Sequence, residues 1–224
     1  MKDSLRCIHR HTIKTHPKCF EKGAIKWPDV KTFEKFSGEP WYKYPGYKIG
    51  YFDIETDNLN ADFGTVLTWC IKDKDGEIYY DVIKKEEMFN GYGDKRIVES
   101  FINKLQEYSI IIGYYSSMFD LPFMRSKSLY YNIDFPHYSS IYHWDLYYTV
   151  RNKLHLSRNS LDNVCNYLGI DGKTHIDKNI WRLAKYGDNE ALDYVLEHNK
   201  YDVIITEQLH NRLEFSRKWI RSSI

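Results

Sequence analysis

The stretch Tyr47–Leu59, YKIGYFDIETDNL, does most to constrain what this 224-residue chain can fold into. Tyr47, Ile49, Tyr51 and Phe52 are the aromatic and β-branched types that suit a pleated, largely buried surface, so the stretch predicts a strand. That strand carries Asp53 and Glu55 to its end. Residues two apart in an extended chain point to the same side, and two carboxylates aimed at one point repel unless a cation sits between them. The D-x-E pair therefore reads either as half of a metal site or as a cap beside a solvated acid, and the rest of the chain has to decide.

Downstream, Val66–Lys72 and Glu77–Ile83 read as two further strands. They join across Lys72–Gly76, where Asp75-Gly76 supplies the positive φ of a tight hairpin turn, so the sheet starts with three antiparallel strands. Ile97, Val98, Phe101, Ile102, Leu105 and Tyr108 recur at three- and four-residue steps and make Asp94–Tyr108 an amphipathic helix. Ser109–Tyr115, with three consecutive isoleucines, predicts a strand buried on both faces, and the preceding helix permits a parallel crossover onto the first strand. Ile141–Leu146 predicts a short last strand that leads into a helix around Tyr147–Arg151. Ser160 caps a helix that Gly169 ends, Asp177–Lys185 forms another, and a final helix begins after Gly187-Asp188.

Two of these elements add acids. Asp120 lies in SSMFDLPF at the end of the buried strand, where Pro122 suits the first turn of a new helix; by itself it would pass for a helix cap. His198 and Asp202 are four apart on the last helix, so they share a face about 6 Å apart. Such a pair is either a surface contact or a base beside a metal ligand.

Charge is uneven along the chain. Up to Lys48 there are eleven Lys and Arg against five Asp and Glu, and beyond it twenty-one against twenty-six. Residues 1–45 form a basic N-terminal extension without a hydrophobic period, either a phosphate-contacting arm or a solvated one. It contains Cys7, His9, His11, His16 and Cys19; Cys7, His11, His16 and Cys19 suffice for a structural Zn²⁺, the alternative being a basic loop whose histidines meet solvent or nucleic acid. Trp27, Phe33, Phe36, Trp41 and Tyr44 are the residues expected to dock this arm onto the domain spanning 46–224. Cys70 and Cys165 lie in apolar patterns and read as buried thiols. With no apolar run of about 18 residues and no signal-peptide pattern, the chain reads as soluble, intracellular and cytoplasmic, without a membrane partner. Its twenty tyrosines suit β-rich packing or base stacking, and composition does not separate the two.

With FDIET, GYYSSMFDLPF and HNKYDV in ordered succession, the chain resembles the DnaQ-like (DEDD) 3′-to-5′ exonucleases of ribonuclease H-like fold. It looks closest to the predicted exonucleases named ribonuclease H-like domain proteins, which are related to the proofreading domain of family B DNA polymerases. The resemblance covers roughly Tyr47–Leu213 and includes the intervening HWDLYYTVRNKLHLSRNSLDNVCNYLGI. It implies an α/β fold in which a mixed sheet, three antiparallel strands then parallel ones, is flanked by helices. It also implies two Mg²⁺ or Mn²⁺ ions held by Asp53, Glu55, Asp120 and Asp202, with His198 as general base. The substrate it implies is the 3′ end of single-stranded DNA or RNA, DNA favoured, with Tyr115, Phe119, Asn199 and Arg158 as substrate contacts. Two features depart from the family. His198 stands at the spacing of the tyrosine subclass, and Tyr115 or Ser116 occupies the place where an asparagine is common. A structure-directed endonuclease and an inactive nucleic-acid-binding module are the competing readings.

Overall fold

The computed structural model describes residue 37 and residues 41–74, 76–89, 93–137, 140–171 and 176–213. A five-stranded mixed sheet forms the centre, with strands β1 (Ile49–Thr56), β2 (Val66–Asp73), β3 (Ile78–Val82), β4 (Ile110–Gly113) and β5 (Tyr142–Asp145) in the order β3-β2-β1-β4-β5. The first three are antiparallel, whereas β4 and β5 run parallel to β1. This is the mixed arrangement expected from the sequence. Among the described residues seven α-helices flank it: α1 (Lys85–Phe89), α2 (Lys95–Leu105), α3 (Asp120–Tyr131), α4 (Leu146–Lys153), α5 (Leu161–Leu168), α6 (Lys178–Lys185) and α7 (Asn189–Arg212). At five residues, α1 is too short to show a period, which is why the sequence reading passes over it.

Side chains of β1 alternate between two cores. Ile49 and Tyr51 join the layer built with α4, α5 and the C-terminal half of α7. Phe52 and Ile54 point the other way, into a layer with α2, α3 and the start of α7, where Ala191, Leu192 and Val195 pack. Burial on both faces fixes the register, because a one-residue slip would move every side chain to the wrong layer.

Local signals end the helices where the sequence places them. Ser160, Asp177 and Asp188 accept backbone N–H bonds at the starts of α5, α6 and α7, and Gly169 adopts φ 65° after α5.

Tyr42, in a short 3₁₀ turn at Trp41–Lys43, is 1 % exposed and packs against Trp144 and His210, and half-buried Tyr44 packs beside it. Trp27, Phe33, Phe36 and the proposed zinc ligands Cys7, His11, His16 and Cys19 lie outside the described residues. Among the described residues no helix is long and apolar enough to cross a membrane.

Candidate metal centre

Parallel pairing between β1 and β4 reaches only as far as Tyr51 opposite Ile112. The chain then leaves β4 at Gly113, two residues sooner than the isoleucine run predicts, and swings into α3. This departure leaves the backbone of β1 open to a new partner, and Asp120 Oδ1 accepts the Ile54 N–H at 3.1 Å. The second acid is thereby fastened to the peptide between Asp53 and Glu55. Its carboxylate is turned across to β1 from the first residue of α3.

Asp120 is buried, and burial pushes its carboxyl up to about 7. The N–H groups of Asp120 and Ile54 pull it down, while the negative charges of Asp145 and Asp202 push it further up. A carboxyl placed where ionisation is costly is a group waiting for positive charge.

The other half of the site comes from α7, which crosses β1 and β2 and presents His198, Asn199 and Asp202, all buried. His198 Nε2 lies 3.4 Å from Glu55 Oε1 and 3.7 Å from Asp202 Oδ2. One ligand atom from each of Glu55, His198 and Asp202 lies within 4.8 Å of the others, close enough to share one ion. Asp53 Oδ2 accepts the side-chain amide of Asn199 at 2.9 Å. Asp53 and Glu55 on β1 and Asp120 at the start of α3 thus converge with His198 and Asp202 on α7.

The expected substrate contacts fall in different places. Asn199 is fully buried and its amide is engaged by Asp53, so it orders a carboxylate. Tyr115 is 44 % exposed and packs edge-to-face on Tyr147 at 4.8 Å, whereas half-buried Phe119 packs on Phe123. Arg158 is exposed in the loop before α5; the neighbouring Asn159 carbonyl accepts from the Tyr114 hydroxyl, which sets that loop beside the end of β4.

The model of the RNase H superfamily matches residues 50–214, the whole span that carries the sheet and the converging carboxylates. The chain belongs to the RNase H superfamily. Membership makes it a nuclease-type domain with nucleic acid as its substrate class. Among solved structures, this RNase H superfamily chain is similar to the family B DNA polymerase of the hyperthermophilic archaeon Pyrobaculum calidifontis, at 20 % identity and a TM-score of 0.62. The match covers 76 % of this chain and 25 % of the polymerase, so the chain spans about a quarter of that protein and the likeness is one of fold. No curated protein sequence matches the chain.

One residue that the sequence reading missed holds this RNase H superfamily site in shape. Asp145, at the end of β5, accepts from the N–H groups of Tyr115 (2.8 Å), Ser117 (2.9 Å) and Tyr147 (3.0 Å) and from the Ser117 hydroxyl (2.6 Å). It clamps the β4–α3 loop, in which Tyr115 has φ 60°, a costly value for an aromatic residue. Two residues earlier on β5, His143 Nε2 pairs with the Ser116 hydroxyl at 2.9 Å. The hint in the sequence was the repetition of one theme, since W-D-L at 144–146 mirrors F-D-L at 119–121: an acid at the entry to a helix.

Proposed function

We propose that this domain is a metal-dependent 3′-to-5′ exonuclease that trims single-stranded nucleic acid, DNA in preference to RNA, to nucleoside 5′-monophosphates. The single observation that carries the reading is the convergence of Asp53 and Glu55 from β1 and Asp120 from the start of α3 with His198 and Asp202 from α7. Their oxygen-rich donor set fits hard divalent cations such as Mg²⁺ or Mn²⁺, and the buried Asp120 carboxyl and the acids around it favour positive charge there. Two such ions, when bound, would supply the charge neutralisation and Lewis acidity that phosphodiester hydrolysis needs at neutral pH.

Within that reading Asp53, Glu55, Asp120 and Asp202 would hold the ions, and Asn199 keeps the Asp53 carboxylate oriented. His198 Nε2 takes the proton of the attacking water, a role that suits imidazole because it titrates near neutrality. Water oxygen bonds to the terminal phosphorus as the bond to the preceding 3′ oxygen breaks; the leaving oxygen takes a proton from solvent to become a new 3′ hydroxyl, and His198 returns its proton to solvent. Tyr115 and Phe119 supply aromatic surface beside Asp120 on which an unstacked terminal base can rest, and Arg158 offers a phosphate contact at the rim.

The test is a 3′-labelled single strand incubated with Mn²⁺, alongside Asp53→Ala. Release of label as mononucleotide by the wild type alone supports the exonuclease. Internal fragments would instead indicate an endonuclease on the same fold, and an unlabelled mononucleotide fraction with intact strand in every lane would indicate a binding module.

A further inference from the structure

We propose that the outer face of α6 is the track along which the phosphates of a single-stranded nucleic acid lie as it approaches the metal centre. The inference rests on the nuclease reading above. Ile180, Trp181 and Ala184 turn inward from α6 against the layer shared with α3 and the start of α7. On the opposite side Lys178, Arg182 and Lys185 are exposed at positions i, i+4 and i+7, so they form one stripe along the helix.

The stripe is electrostatically costly as it stands. Lys178 occupies the first position of the helix, where the macrodipole disfavours a cation, and Lys178 and Arg182 are like charges one turn apart. Among the described residues neither meets a carboxylate. Asp177, the acid next to the stripe in sequence, is engaged as the helix cap, its Oδ1 accepting the Asn179 N–H at 2.7 Å. A polyanion laid on this face removes both penalties.

Position joins the stripe to the site. Lys185 Nζ lies 3.3 Å from Asp57 Oδ2, two residues past Glu55, and the Asp57 N–H bonds to the Thr65 carbonyl in continuation of the β1–β2 pairing. Beyond the stripe, Tyr186 is exposed, and Tyr194, 45 % exposed, stands one turn before His198 on α7. Four carboxylates at the centre repel an incoming phosphate chain, so cations at the rim are what guide it in. The strand therefore runs from the centre past Lys185 and along Arg182 and Lys178, its 5′ side outward.

The test compares kcat/KM for degradation of a 5′-labelled twenty-residue oligothymidylate with Mn²⁺ across 50–300 mM KCl, these being about the range over which counterion release is read. Lys178→Ala with Arg182→Ala is set beside the wild type and beside Lys95→Ala with Arg212→Ala, an equal charge loss at exposed sites on α2 and α7. The α6 pair is expected to flatten the plot of log kcat/KM against log salt by about 1.4, at about 0.7 per lost phosphate contact, while the control pair keeps the wild-type slope. The deficit should shrink when the strand is cut to a trinucleotide. Slopes that coincide with the wild type, or that fall equally in the control pair, overturn the track and leave the nuclease reading standing. A wild type that does not degrade the strand overturns both. Lys178→Gln with Arg182→Gln gives the same charge loss if the alanine pair folds poorly.

Discussion

The side-chain amide of the fully buried Asn199 donates to Asp53 Oδ2 at 2.9 Å across 146 residues of sequence. A carboxylate so held has one oxygen oriented by the protein, and in the proposed centre that hydrogen bond would tune Asp53 as a metal ligand.

Asn199→Ala is expected to lower nuclease activity and Mn²⁺ affinity about 10- to 100-fold, the usual effect of losing a ligand's hydrogen-bond partner. Calorimetric titration with Mn²⁺ reads the affinity directly. The loss of a buried bond to a charged group should also cost about 1–3 kcal/mol of stability in denaturant unfolding.

Asp145→Asn leaves one acceptor oxygen where the clamp uses two against four donors. The β4–α3 loop should relax from the strained Tyr115 conformation, carrying Asp120 out of register with Asp53. We expect kcat to fall about tenfold or more through loss of alignment, and the loop amides of 115–117 to exchange with deuterium faster than those of β4. Protection unchanged in the loop would contradict the clamp.

Asp120 makes the metal-free protein less stable as pH rises. Its folded value of about 7 lies above the unfolded value of 3.8, so the folded state holds the proton longer and stability falls as pH climbs through that window. Asp120→Asn should therefore abolish activity yet stabilise the metal-free protein at pH 8, by on the order of a few kcal/mol. Unfolding curves at pH 5 and pH 8 check this, the difference between variant and wild type growing with pH.

His143 acts in the opposite sense. Burial lowers its imidazole from 6.5 to about 4, Asp145 pulling it back up and Arg125 pushing it down. The unfolded state binds the proton first, so the His143 contribution is complete above pH 6.5 and is lost as pH falls towards 4. In the wild type this loss offsets the gain from Asp120 over the same range. Asp120→Asn should expose the acid-side fall alone, and His143→Gln should expose the rise with acid alone; parallel profiles in the two variants would refute the assignment.

Much of the fold was legible from residue patterns. The aromatic and β-branched run into Asp53, the three- and four-residue recurrence from Ile97 to Leu105, the cap at Ser160 and the stop at Gly169 each encode a local conformation that packing does not overrule. Asp53, Glu55, Asp120, His198 and Asp202 could be placed on their elements for the same reason, because strand alternation, helix starts and helix faces are local geometries; it was the resemblance that grouped them into one site. The role of Asn199 was not legible, since nothing near residue 199 says that Asp53 lies above it.

What the sequence by itself determined, then, is every strand and all the helices but the five-residue α1, with the placing of Asp53, Glu55, Asp120, His198 and Asp202 on or beside them. Only the tertiary structure decided how those groups meet: β4 parting from β1 so that Asp120 can take the Ile54 N–H, Asp145 holding the loop that makes this turn, and α7 lying across β1 so that His198 stands between Glu55 and Asp202. The physical reason is range. Side-chain periodicity reports the burial of neighbours a few residues apart, whereas a hydrogen bond or a shared charge between residues 66 or 146 positions apart depends on which surfaces pack together.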